Sequence, residues 1–161
     1  MQETIIKKLN SGDISEFTEL INLFAEVFEM KNFSMPDKEH LLKVLTKPDF
    51  MVFVAIRENQ VVGGLTAYTL DQYYSDKPLA YLYDLAIRVN FQRQGIGKKL
   101  IAALTEYCRS HGYEEVFVQA DKVDDYALEF YRSTPITNEE QVIHFYYTLH
   151  SNQKQHDSGK A

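Results

Sequence analysis

YLYDLAIRVNFQRQGIGKKLIAAL, residues 81–104, is the stretch from which the rest of the chain takes its arrangement. Tyr81 to Val89 is crowded with apolar, aromatic and β-branched side chains, the composition of a buried strand. From Gly95 onward the apolar residues recur at helical spacing. Between the two lie Gln92-Arg93-Gln94-Gly95-Ile96-Gly97-Lys98. A strand that feeds a glycine-containing turn opening a helix points several backbone N–H groups one way. The positive end of the helix dipole adds to them, and the result is an anion site. Gly95 and Gly97 carry no Cβ to obstruct close approach and tolerate unusual φ/ψ. We read the ligand as a pyrophosphate.

Spacing decides which one. A P-loop needs Gly-Lys followed by Ser or Thr, and here Lys98 precedes Lys99. A dinucleotide fingerprint needs a third glycine where Leu100 stands. What remains is Q/R-x-x-G-x-G/A behind an apolar strand, ahead of a lysine-bearing helix. This resembles motif A of the GNAT superfamily of N-acetyltransferases. The resemblance implies that Gln92, Arg93, Gln94, Gly95, Ile96, Gly97 and Lys98 hold the pyrophosphate of acetyl-CoA. It also implies that the backbone of Leu85, Ala86 and Ile87 pairs with the pantetheine arm, where one N–H polarises the acetyl carbonyl.

In chain order, Thr4–Leu9 is a short strand candidate, with Asp13 available to cap a helix over Ile14–Phe28. Ser34-Met35-Pro36-Asp37 resembles a capping box and starts a second helix through Leu45. Phe50–Ile56 and Val61–Leu70 read as strands joined at Glu58-Asn59-Gln60, where Asn59 can take φ > 0. Gly63-Gly64 marks a bulge. The long helix should close at His111-Gly112, followed by a strand over Glu115–Ala120 and a helix over Tyr126–Arg132, stopped by Pro135. Gln141–Leu149, rich in aromatics, reads as a closing strand, and 150–161 as a disordered tail. The order β-α-α-β-β-β-α-β-α-β is that of the GNAT fold, an α/β (α+β) architecture. Its central sheet is mixed, mostly antiparallel and flanked by helices. The resemblance covers about Thr4 to Leu149, within one domain of residues 1–149, and implies that the central and fifth strands diverge around the thioester.

Composition narrows the function. The 161 residues suffice for one domain with one substantial core. No apolar run reaches the roughly 20 residues of a membrane span, and no signal peptide is legible at the N-terminus. A single cysteine, Cys108, suits a reducing cytoplasm and is read as a buried structural thiol. The five histidines make no metal spacing, so no metal is expected. The net charge of −6 argues against a nucleic-acid partner and suits a cationic small-molecule amine, although solubility alone would explain it.

Asp124-Asp125-Tyr126-Ala127-Leu128-Glu129-Phe130-Tyr131 resembles the family pattern N-x-x-A-x-x-L-Y, with Asp124 in place of the asparagine. The resemblance implies that Asp124 and Tyr131 contact the cofactor, and that Tyr131 protonates the leaving thiolate. A phenol of pKa about 10 can donate to a thiolate formed beside it; the plainer reading is a core tyrosine, one of 11. The family's x-x-G-F is replaced by Arg132-Ser133-Thr134-Pro135. Asp84 is costly to bury in the central strand unless paired or facing a polar cleft. It either binds a substrate ammonium and accepts its proton or makes an ordinary strand-edge hydrogen bond. Asp121, Asp124 and Asp125, with Glu139 and Glu140, compose a candidate acidic rim.

Three segments resemble the aminoglycoside 3-N-acetyltransferase branch: Tyr83–Ile87, Val118–Asp121 with Asp124-Asp125, and Val142–Phe145. Aminoglycosides are polycations, which Asp84, Asp121, Asp124 and Asp125 would bind by charge-assisted hydrogen bonds. A polyamine or a basic peptide would satisfy the same carboxylates, and a non-catalytic acetyl-CoA-binding module is the third reading. Family members are often dimers.

Overall fold

The alternating and helical apolar patterns of the first 119 residues are used up in one five-stranded sheet and the helices on its two faces. The chain divides into two compact units, Met1–Gln119 and Ala120–Ala161, and a computed structural model describes residues 2–150. In the first unit the strands are β1 (Ile5–Lys8), β2 (Phe50–Arg57), β3 (Gln60–Leu70), β4 (Leu79–Ile87) and β5 (Glu115–Val118). They lie in the order β1-β2-β3-β4-β5. The first three pairings are antiparallel. The last is parallel, which requires a crossover, and α3 (Ile96–Ser110) supplies it.

β2 and β3 are joined through Glu58 and Asn59, with φ of 49° and 61°. Both central residues are left-handed, the pattern of a type I′ hairpin turn. Helix α1 (Ile14–Val27) turns Phe17, Leu20, Leu23 and Phe24 inward. With Leu41 and Leu45 of α2 (Lys38–Leu45) they cover Phe50, Val52 and Val54 of β2, Val61 of β3 and Ala86 of β4. Phe53 of β2 faces the other way, its ring edge against Tyr107 of α3. The sheet is therefore covered by α1 and α2 on one face and by α3 on the other.

Local chemistry differs from expectation at three points. Asp13 occupies the N-cap of α1 but its carboxylate does not cap the helix. It accepts from the Asn10 N–H at 2.8 Å and pairs with Lys7 at 2.7 Å. The Lys7 ammonium and that N–H hold it below the usual carboxylate range. Helix α2 starts at Asp37, not at Ser34. Asp37 Oδ1 accepts from the His40 N–H at 2.8 Å, and Ser34–Pro36 remain outside the helix.

The third point is Gly63-Gly64. The β2–β3 register shifts between Ala55 and Ile56, so the extra residue is Val62, beside the glycine pair and not within it. The pair serves close approach instead. A Cβ on Gly64 would sit 2.5 Å from Leu20 Cδ1 and 2.8 Å from the Phe53 carbonyl oxygen.

The expected closing strand does not form. Residues 141–150 carry no strand, so the element order ends at α4 (Asp125–Arg132). Alternation specifies a face and not a hydrogen-bonding partner, and no strand after β5 joins the sheet among the described residues. The expected tail at 151–161 lies outside the described residues.

Candidate active site

β4 and β5 pair only from Leu79 to Leu82 and from Glu115 to Val118, while β4 runs on to Ile87. β5 ends at Val118, so the second half of β4 runs on without it. Leu85, Ala86 and Ile87 have a ladder neighbour on the β3 side alone.

A bulge fixes the direction of Asp84. Ala67 faces Leu82 and Thr66 faces Asp84, so Tyr83 is the extra residue. Thr66 in turn faces Val52, which belongs to the core under α1 and α2. Asp84, half-buried, therefore lies in the row on the α1 side. Without the bulge it would face Leu65, which sits opposite Phe53 in the row that meets α3. Bulges near active sites commonly re-aim one side chain in this way.

Aromatic rings run along the same row. Phe117 stacks on Tyr81 at 4.8 Å, Tyr81 meets Tyr83 at 5.6 Å, and Tyr83 meets Tyr68 at 5.5 Å. The Tyr81 hydroxyl donates to Gln119 Oε1 at 3.2 Å. A carboxylate beside ring faces can bind an ammonium by charge and by cation–π attraction together. Sequence reasoning did not single out Tyr81 or Phe117, which stack in this row. The available signal was tyrosine at alternate positions, 81 and 83, of a strand otherwise aliphatic but for Asp84.

Beyond β4 the chain passes through a short 3₁₀ turn, Val89–Phe91, into the glycine turn. Gln92 Nε2 donates to the Ile87 carbonyl at 2.9 Å, tying the turn to the end of β4. Gln94 Oε1 accepts from the Arg57 guanidinium at 2.5 Å. Arg93 and Gly95 are left-handed, with φ of 62° and 78°. A Cβ on Gly95 would meet nothing within 4 Å, so this glycine is needed for its φ and the space around it remains open. The bond from the Lys99 N–H to the Gly95 carbonyl, at 3.1 Å, starts the helical ladder. The N–H groups of Ile96, Gly97 and Lys98 accordingly have no acceptor within α3. This cradle, with Lys98 exposed beside it, fits a diphosphate.

The second unit holds the remaining predicted residues. Asp124 caps α4, its Oδ1 accepting from the Ala127 N–H at 3.0 Å, and Asp125 is the first residue of that helix. Asp121 Oδ1 accepts from the Val123 N–H at 3.2 Å. Tyr131 is buried, and Ala127 one turn earlier is buried with it. The missing family glycine is compensated by hydroxyls. Thr134 donates to the Tyr131 carbonyl at 2.6 Å and Ser133 to the Phe130 carbonyl at 2.6 Å, closing the helix end. Of the expected acidic rim, Glu139 pairs with Arg132 through both of its oxygens, at 2.9 and 2.6 Å. The guanidinium holds the Glu139 carboxyl below its ordinary range.

Among the described residues, no three His, Cys, Asp or Glu side chains group to hold a metal ion. Nor is any helix there long and apolar enough to cross a membrane.

The strand–turn–helix turn before α3, β4 running past the end of β5 and the bulged aspartate are in keeping with an acyl-CoA-dependent transferase. The model of the acetyltransferase (GNAT) family matches residues 17–134, and the chain belongs to that family. It is an N-acetyltransferase, so the reading as a non-catalytic module is set aside. The chain is similar to an aminoglycoside acetyltransferase from an uncultured soil metagenomic sample, solved in complex with trehalose. Identity is 64% over 91% of this chain and 97% of that one, with a TM-score of 0.90. A second structure of that description, in complex with sisomicin, is 63% identical over the same shares, also with a TM-score of 0.90. Human N-acetyltransferase 8 is 30% identical over 81 residues, 50% of this chain and only 36% of that protein.

Proposed function

We propose that the protein transfers the acetyl group of acetyl-CoA to an amine of an aminoglycoside, at the 3-amino position, by direct transfer in a ternary complex in the cytoplasm. The observation that carries this reading is the 64% identity, over 91% of the chain, with an aminoglycoside acetyltransferase. The reduced, buried Cys108 supports the compartment.

The roles follow from the residues. The N–H groups of Ile96, Gly97 and Lys98 bind the diphosphate, aided by the helix dipole. Leu85–Ile87 offer backbone partners to the pantetheine arm, and one N–H stabilises negative charge on the carbonyl oxygen. Asp84 binds the substrate ammonium and takes its proton, directly or through water, leaving the amine lone pair free to attack. The C–S bond breaks as the C–N bond forms, the Tyr131 hydroxyl gives its proton to the thiolate, and the proton shed by the newly acylated nitrogen returns through water to the Tyr131 phenolate. Asp121 and Asp125 attract further ammonium groups, and Asp124 orders the start of the helix that carries Tyr131. No metal enters this scheme.

Release of CoA thiol with a panel of aminoglycosides, polyamines and basic peptides tests the reading. Turnover with gentamicin-type compounds, and an acetyl group on the 3-amine by NMR, are expected. Turnover only with a polyamine or a peptide would move the acceptor class elsewhere and leave the family assignment intact. Tyr131→Phe should lower kcat by about 10²–10⁴-fold, the usual worth of general acid catalysis, with acetyl-CoA affinity nearly unchanged. An equal kcat in that variant would remove Tyr131 from the chemistry.

A further inference from the structure

Arg57, half-buried, is the last residue of β2. Its Nε donates to Thr4 Oγ1 at 2.6 Å, just ahead of β1. Its Nη1 donates to Gln94 Oε1 at 2.5 Å, inside the glycine turn. The guanidinium carbon lies 5.8 Å from the centre of the Phe91 ring, in the 3₁₀ turn that leads there. One planar guanidinium thus ties the entry of β1 and the end of β2 to the loop between β4 and α3. A lysine, with a point charge on a flexible stem, has no such fixed fork.

The loop it holds is under constraint. Gln94 stands between Arg93 and Gly95, both left-handed. Arg93 carries a Cβ, and such a residue keeps that conformation where its surroundings over-determine it. The direction of the turn in turn sets where the N–H groups of Ile96, Gly97 and Lys98 point. The groups that meet Arg57 are a hydroxyl, an amide oxygen and a ring, and no ion pair among the described residues includes it. The tie is therefore made without a carboxylate, which would repel an anion seated in the turn.

We propose that Arg57 is a positioning residue for acetyl-CoA: through Gln94 and Phe91 it fixes the glycine turn in its diphosphate-binding conformation before the cofactor arrives. A seat held ready loses less freedom on binding, and the difference appears as affinity. The inference rests on the reading of that turn as the seat of the diphosphate.

Calorimetry of the full chain with CoA tests the idea without any acceptor amine. Arg57→Met should weaken CoA binding roughly 10-fold, the worth of one hydrogen bond to a charged group. Arg57→Lys should stay close to Arg57→Met, because the charge returns without the fork. Gln94 is exposed, so Gln94→Ala leaves the core alone and should show most of the loss by itself, whether or not the Arg57 variants fold. The double variant Arg57→Met with Gln94→Ala should bind no more weakly than Arg57→Met alone, since both changes cut one tie. 3′-Dephospho-CoA, which keeps the diphosphate, should lose as much affinity as CoA does. Losses that simply add, full recovery in Arg57→Lys, or a loss seen with CoA and absent with 3′-dephospho-CoA would each mean that Arg57 acts on the cofactor directly, and would overturn the proposal. So would undiminished affinity in Arg57→Met. A wild-type chain with no affinity for CoA would remove the reading of the turn, and the proposal with it.

Discussion

Cys108 lies on the buried stripe of α3 at 1% exposure, and burial lifts its thiol from 9.0 to about 11. The unfolded chain therefore loses this proton before the folded one does. Between pH 9.0 and about 11 the native state holds more protons, so stability falls as pH rises through that window. The slope from this group is at most about 1.4 kcal/mol per pH unit. A urea titration repeated across alkaline pH should show the decline, and Cys108→Ala should flatten it. Near neutral pH the native thiol should resist a disulfide reagent and react once urea unfolds the chain. Asp13 works at the other end of the scale. Its carboxyl is held below 3.8, so its contribution is present above that value and fades as pH falls through the lower folded one. The three aspartates at helix starts, Asp13, Asp37 and Asp124, look alike in sequence, yet Asp13 does not cap while the other two do. Lys7 draws the Asp13 carboxylate away, and a partner from a neighbouring strand cannot be read from local pattern.

Helix α1 rests on β3 at a position without a side chain. Gly64→Ala would place a methyl 2.5 Å from Leu20 Cδ1 and 2.8 Å from the rigid Phe53 carbonyl. Leu20 is fully buried and has nowhere to turn. Overpacking of this kind costs about 1–3 kcal/mol, and thermal unfolding of Gly64→Ala should report it. An unchanged midpoint would mean that the helix can lift from the sheet at no cost. The glycine pair was legible in the sequence as something that breaks strand regularity. Its purpose was not, since the neighbour it admits is some 40 residues away in the chain. The bulge at Tyr83 left no sequence mark at all. It arises because Ala67 keeps register with Leu82 while Thr66 keeps register with Asp84, and it decides which face of the sheet receives the carboxylate.

At the scale of the molecule, a net charge of −6 and the carboxylates at 84, 121 and 125 should attract a polycation before it binds. The Debye length falls from about 10 Å at 0.1 M salt to about 3 Å at 1 M. For a cationic acceptor kcat/KM should therefore drop several-fold over that range, mainly through KM. A flat response would assign the charge to solubility alone. The GNAT assignment over residues 17–134 accommodates either outcome. The strand expected at 141–149 teaches a further point at this scale. Its alternation is real, but alternation specifies a face and not a partner.

The sequence by itself determined the helices and strands from β1 to α4, the turn between β2 and β3, the glycine turn before α3 and the family. Each of these rests on contacts between near neighbours: period, cap and glycine φ. The tertiary structure alone decided that Asp84 faces the α1 side and that Asp13 serves Lys7. It also neutralised Glu139 with Arg132, let a hydroxyl replace the family glycine after Tyr131, and left 141–149 without a ladder. Those outcomes depend on strand register and on side chains that meet only after folding, and a linear pattern carries no information about either.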